Sequence, residues 1–231
     1  MDIAIQKAGF IYAHPDDETF LSACLIRQLA DQGEAPVLLL ATKGDAGKKN
    51  GDVSHLTNEQ LAAVRVKEME QAAAILGLAA VEHLGYPDGK LQEVEPVGFV
   101  DAIIEFINKH QLEAIFTFPE DGGNFHPDHI AISRMATAAV LSGKCPTVRK
   151  LYYFMTAALL NEGQQPSFIL DTEPQWAMKA AALRAHQSQI LAIHRYFGDL
   201  VVFPEDRRYE SFVLAHEWDQ EQAAYKCFIK M

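Results

Sequence analysis

Apolar residues recur along the chain in two alternating patterns: short unbroken runs, and longer stretches with apolar positions three and four apart. The first run, residues 8–13, reads as a buried strand, and 18–31 as a helix closing at Gly33. Residues 36–42 predict the next strand, followed by a loop over 43–56 rich in Gly, Lys, Asp and Asn. Thr57-Asn58-Glu59-Gln60 has the form of a capping box. The helix it opens carries Leu61, Val64, Met69, Ala72 and Leu76 at helical spacing and stops at Gly77. Further strands are expected at 81–84, 114–118 and 152–155, and further helices at 97–110 and from Pro127 to Leu141. Proline suits the first turn of that last helix, where its missing N–H would be unpaired anyway. One long Ala-rich helix is expected over 173–195 and a late edge strand over 209–214.

Strands alternating with helices imply an α/β domain over 1–231, a Rossmann-like parallel sheet with helices on both faces. In such open sheets the ligand crevice lies beyond the carboxyl ends of the strands. Four polar segments fall at such ends: 13–18 (AHPDDE), 44–47 (GDAG), 85–89 (GYPDG) and 126–129 (HPDH).

Composition narrows the partners. With 20 basic and 31 acidic residues the net charge is −11, and no basic stripe interrupts it, which excludes nucleic acid as the main partner. The first residues lead into a strand without a long apolar stretch, so neither a signal peptide nor a membrane span is expected. Cys24, Cys145 and Cys227 are odd in number and form no CxxC, which reads as reduced, buried thiols in a cytoplasmic protein. A homo-oligomer is compatible with all of this.

The chemistry is concentrated in two clusters. His14, Asp16, Asp17 and Glu18 stand within five residues, and His126, Asp128 and His129 within four. Catalytic zinc takes three protein ligands and leaves a position for water, and a neighbouring unligated carboxylate can serve as general base. His126 and His129, three apart at a helix start, share a face, so that one can bind metal while the other faces substrate. Asp128 beside His126 can hold that ring and favour its charged form. Spacing leaves open which of Asp16 and Asp17 is the ligand. The donor set also describes the facial triad of Fe(II) oxygenases, although an oxygenase has no use for the second carboxylate or the HPDH pair. A non-catalytic Rossmann-like binding module is a further reading, weakened by the absence of GxGxxG and GxxxxGK[ST].

AHPDDE followed at long range by HPDH resembles the PIG-L/LmbE-like family of metal-dependent N-deacetylases acting on N-acetylglucosamine conjugates. Residues 42–47, 65–68, 84–89 and 185–189 resemble family blocks in the same order. The resemblance implies an LmbE-like fold with zinc held by His14, Asp17 and His129, iron(II) being the alternative metal. It implies Asp16 as general base, and His126, oriented by Asp128, as stabiliser of the oxyanion and helper in protonating the departing amine. Arg65 and Asp88 would hold hydroxyls of a small-molecule GlcNAc conjugate. The implied reaction releases acetate and a free amine; an amidase of the same family acting on another acylated amine is the nearest alternative. Two departures are visible: Leu21-Ser22-Ala23-Cys24 replaces the family's Gly-rich turn, and Asn124-Phe125 stands where some relatives place a tyrosine.

Overall fold

The computed structural model describes residues 5–49 and 51–218. In chain order these form β1 (Ala8–Tyr12), α1 (Asp17–Leu21), α2 (Ala23–Asp31), β2 (Val37–Thr42), α3 (Asn58–Leu76), β3 (Ala80–Tyr86) and α4 (Pro96–Lys109). There follow β4 (Ala114–Thr117), α5 (Pro127–Leu141), β5 (Lys150–Phe154), α6 (Ala157–Asn161), β6 (Phe168–Asp171), α7 (Trp176–Ala185), α8 (Ile190–Phe197) and β7 (Tyr209–Glu217).

The strands make one sheet in the order β3-β2-β1-β4-β5-β7-β6. β1 to β5 pair in parallel, and β7 runs against both its neighbours. Every residue of β1, β2 and β4 is buried, as expected where helices cover both faces. The helices form two groups, α2 with α3 and α7, and α4 with α5. From β1 the order runs outward through β2 and β3, then returns to β4 on the other side of β1. The crevice therefore opens between the carboxyl ends of β1 and β4, at the switch point where such sheets bind ligands. AHPDDE leaves β1 there, and HPDH follows β4.

Three expectations are corrected. β7 lies inside the sheet, and the edge belongs to β6, whose single buried side chain, Leu170, leaves almost no periodic signal. The expected helix over 18–31 is two helices, broken at Ser22 (φ −141°, ψ 10°). The expected helix over 173–195 is likewise interrupted at His186 (φ −82°, ψ 55°), between α7 and α8. The capping box at Thr57 and the αL stop at Gly77 (φ 80°) both form. Cys24 and Cys145 are buried free thiols; Cys227 and the first four residues lie outside the described residues. Among the described residues, no helix is long and apolar enough to cross a membrane.

Candidate metal centre

β1 ends at Tyr12 and the chain turns through His14 and Pro15 into α1, which Asp17 opens. Asp17 fixes that turn by accepting the His14 backbone N–H at 2.8 Å. Across the switch point, the loop after β4 leads to α5, where Pro127 takes the first turn and His126 is the N-cap. His129 is the third residue of α5. Its Nδ1 is 3.1 Å from the Gly122 carbonyl, so Nδ1 carries the proton and Nε2 is left as a lone pair.

His14 is arranged in the complementary sense. Its Nε2 lies 3.0 Å from Asp88 and 3.2 Å from Asp128, so the proton sits there and Nδ1 is the free donor atom. That Nδ1 faces His129 Nε2 across 3.3 Å, and each nitrogen is 3.5 Å from one oxygen of Asp17. Two lone pairs and a carboxylate converging in a site only 8% exposed repel one another unless a cation joins them. Tetrahedral zinc with bonds of about 2.0–2.1 Å places its donor atoms about 3.3–3.4 Å apart. The donors fit such an ion.

The electrostatics agree. Burial lowers the pKa of His129, favouring the neutral ligand form. Burial also works against a charged His14, but hydrogen bonds to Asp128, Asp17 and Asp88 outweigh it and hold its pKa well above the ordinary imidazole value. Burial would raise Asp17, yet the His129 and His14 rings pull it down to about 2. The surroundings of His14 therefore favour a positive charge, whether proton or metal.

Asp16 is kept apart from these donors. It adopts φ +112°, a left-handed conformation unusual for a residue with a side chain and one found at strained functional positions. Its carboxylate is 3.1 Å from Arg65 Nη2, and its backbone N–H donates to Glu18 at 3.1 Å. Burial raises its pKa to about 6 against the pull of Arg65. Arg65 is buried and also donates to the carbonyls of Gly44 and Pro15. A side chain at Gly44 (φ +68°) would collide with this guanidinium, so the glycine of the GDAG loop makes room for the arginine.

The remaining expected site residues come to the same place. The carboxylate of Asp88 spans His14 and the Ala46 backbone N–H (2.8 Å), so its oxygens serve the protein's own groups. The expectation for Asp128 needs correcting. Its carboxylate holds His14 and accepts the Gly89 and Leu91 N–H groups, at 2.7 and 3.0 Å. His126 is tied to it only through the backbone, its Nδ1 accepting the Asp128 N–H at 3.2 Å as an N-cap does. A ring that accepts at Nδ1 carries its proton on Nε2.

Several participants escaped the sequence reading. Glu18 is fully buried, sharing one oxygen between the Thr19 hydroxyl and His186 Nε2, the latter at 3.0 Å. Glu68 accepts the Ser188 N–H and hydroxyl at 2.6 and 2.7 Å. The segment 185–189 thus docks on the two stretches that build the site. The converging donors, Asp16 and Arg65 border a cleft of about 710 Å³, which runs from His14 and His129 past Phe20 to Tyr196 and Arg207.

Comparison with known proteins follows the same lines. A family model described as PIG-L, GlcNAc-PI de-N-acetylase, matches residues 10–140. A Bacillus cereus protein named "Probable N-acetyl-alpha-D-glucosaminyl L-malate deacetylase 2" is 30% identical over 190 residues, covering 79% of this chain and 83% of its own. A Saccharomonospora viridis 1D-myo-inositol 2-acetamido-2-deoxy-alpha-D-glucopyranoside deacetylase is 27% identical, covering 78% and 84%. Among solved structures, N,N'-diacetylchitobiose deacetylase from Pyrococcus horikoshii superposes with a TM-score of 0.71 at 23% identity, over 91% of this chain and 84% of its own. GalB, a 4-carboxy-2-hydroxymuconate hydratase from Pseudomonas putida, does so with 0.68 at 17% identity, over 93% and 98%. The fold alone therefore does not choose the reaction.

Proposed function

The chain belongs to the PIG-L family of GlcNAc-PI de-N-acetylases, and from that premise we propose that it is a metal-dependent hydrolase removing the acetyl group from a small N-acetylglucosamine conjugate. The observation that carries the reading is the convergence of His14 Nδ1, His129 Nε2 and Asp17 with a separate, arginine-held Asp16 beside them. A deacetylase needs both parts, whereas a binding module needs neither.

His14, Asp17 and His129 would hold the ion, with zinc favoured by two imidazoles and one carboxylate in a compact set. When bound, such an ion supplies Lewis acidity, polarising an amide carbonyl and making water a nucleophile near neutral pH. The chain's own groups do the rest. Asp16 takes the proton of the attacking water, its burial keeping it basic enough and Arg65 keeping it ionised. His126 offers Nε2–H to the oxygen that gains negative charge. Because its Nδ1 already accepts the Asp128 N–H, the ring serves as a neutral hydrogen-bond donor. The proton for the departing amine then comes from Asp16, which has just received one. Arg65 positions Asp16, and Asp88 positions His14, in place of direct sugar contacts. The reduced thiols of Cys24 and Cys145 suit a cytoplasmic enzyme.

The test is acetate release from a panel of N-acetylglucosamine conjugates, with inositol, malate and sugar aglycones, under added zinc and after chelation. Acetate formed with zinc and lost on chelation is the expected result. No acetate from any conjugate, with zinc bound, would turn the reading towards another acylated amine.

A further inference from the structure

The helix that carries Asp17 is only five residues long, and such a helix cannot hold its own position. Its far end is fixed by two residues distant in sequence, Lys179 on α7 and Glu210 on β7. Lys179 Nζ donates to the Phe20 carbonyl at 3.1 Å and to Glu210 Oε1 at 2.8 Å. Glu210 in turn accepts the N–H groups of Cys24 (3.1 Å) and Leu25 (3.0 Å), at the start of α2. The pair therefore serves both sides of the Ser22 break: a carbonyl left over at the end of α1 and amides left over at the beginning of α2.

Ser22, which stands at the N-cap of α2, makes no cap itself. Its hydroxyl is turned to the Tyr12 hydroxyl, 2.6 Å away. Glu210 acts in its stead, where a carboxylate is favoured by the amide dipoles. Both charged side chains are only 3% exposed, so each depends on the other. Both also lie beyond residues 10–140, the part that the family model matches.

Resting on the reading of the site as a metal centre, we infer that Lys179 and Glu210 are a positioning pair that sets Asp17, and with it Asp16, against the two histidines. The last helices and the reversed strand β7 thus complete a site whose proposed ligands all lie within residues 10–140. Loosening the pair lets α1 shift along the cleft, and the three donor atoms lose their spacing while the sheet stays folded.

The test uses the full chain with Lys179→Met and Glu210→Gln combined, which removes both charges at similar volume. Zinc affinity is read by competition with a chromogenic chelator, and ligand geometry by the visible spectrum of the cobalt-loaded protein. The double variant is expected to melt near the wild-type temperature, yet bind zinc about tenfold more weakly, with an altered cobalt band. A folded double variant with wild-type affinity and an unchanged band overturns the inference. If the double variant does not fold, Glu210→Asp, which keeps both charges but draws the carboxylate back from the α2 amides, is read in the same way, with the same two outcomes. Wild-type protein that binds no zinc would instead overturn the metal reading, so the two failures are distinct.

Discussion

His14 Nδ1 and His129 Nε2 face each other across 3.3 Å, each ring turning its other nitrogen to a partner within the protein. Such a pair is held open by the fold, and a cation relieves it. Zinc at about one hundred times its dissociation constant adds about 2.7 kcal/mol to the folded state, which for a chain of this size raises Tm by about 5–10 °C. Differential scanning calorimetry with and without zinc checks it. Asp17→Ala should abolish the shift; an equal shift in that variant would mean that zinc binds elsewhere.

The proposed roles of the two adjacent aspartates can be told apart. Asp17→Asn should lose zinc on dialysis, since it supplies the only carboxylate among the three converging donors. Asp16→Asn should keep one zinc per chain and lose about 10²- to 10⁴-fold in kcat, the usual weight of a general base. Metal content and turnover, measured on the same preparations, separate the two. Wild-type turnover in Asp16→Asn removes it as the base.

His126 tests the neutral-donor assignment. Replacing it with alanine removes a donor to the charged oxygen and should cost about 10²–10³ in kcat, with zinc retained. The N-cap of α5 goes with it, at about 1 kcal/mol of stability. A neutral donor also predicts that His126→Gln, which still offers an N–H, recovers part of the loss. Full dependence on an imidazole would show that the ring works as a charged acid instead.

How far the sequence reaches is clearest at His186. The strands β1, β2 and β4 were legible because their apolar runs are continuous, and the two His/Asp clusters because they stand at strand ends, while the choice between Asp16 and Asp17 came only with the family resemblance. His186 lies in an Ala-rich stretch whose propensity favours unbroken helix, and its place at a break goes with long-range contacts of its ring to the buried Glu18 carboxylate, 3.0 Å away, and the Thr19 hydroxyl, 3.2 Å away. The role of Asp128 was misread because proximity in sequence suggested His126, while the first turn of α5 aims its carboxylate at His14. Lys179 and Glu210 were invisible, since nothing local marks two charges that meet across 31 residues in a buried pocket.

Arg65 stands against Asp16, the proposed base. Burial raises the pKa of Asp16, and the Arg65 guanidinium opposes that rise. The base works only when ionised, so the acidic limb of kcat/KM against pH follows its pKa. Arg65→Met removes the opposing charge, the pKa of Asp16 climbs, and the limb moves to higher pH. Arg65→Lys keeps a charge but cannot reach Asp16, Gly44 and Pro15 at once, so the limb should move less while kcat still falls. Gly44→Ala should resemble Arg65→Lys, because the added methyl collides with the guanidinium. The pH profiles of the three variants give the order. An unmoved limb in Arg65→Met would mean that the group titrating there is not Asp16.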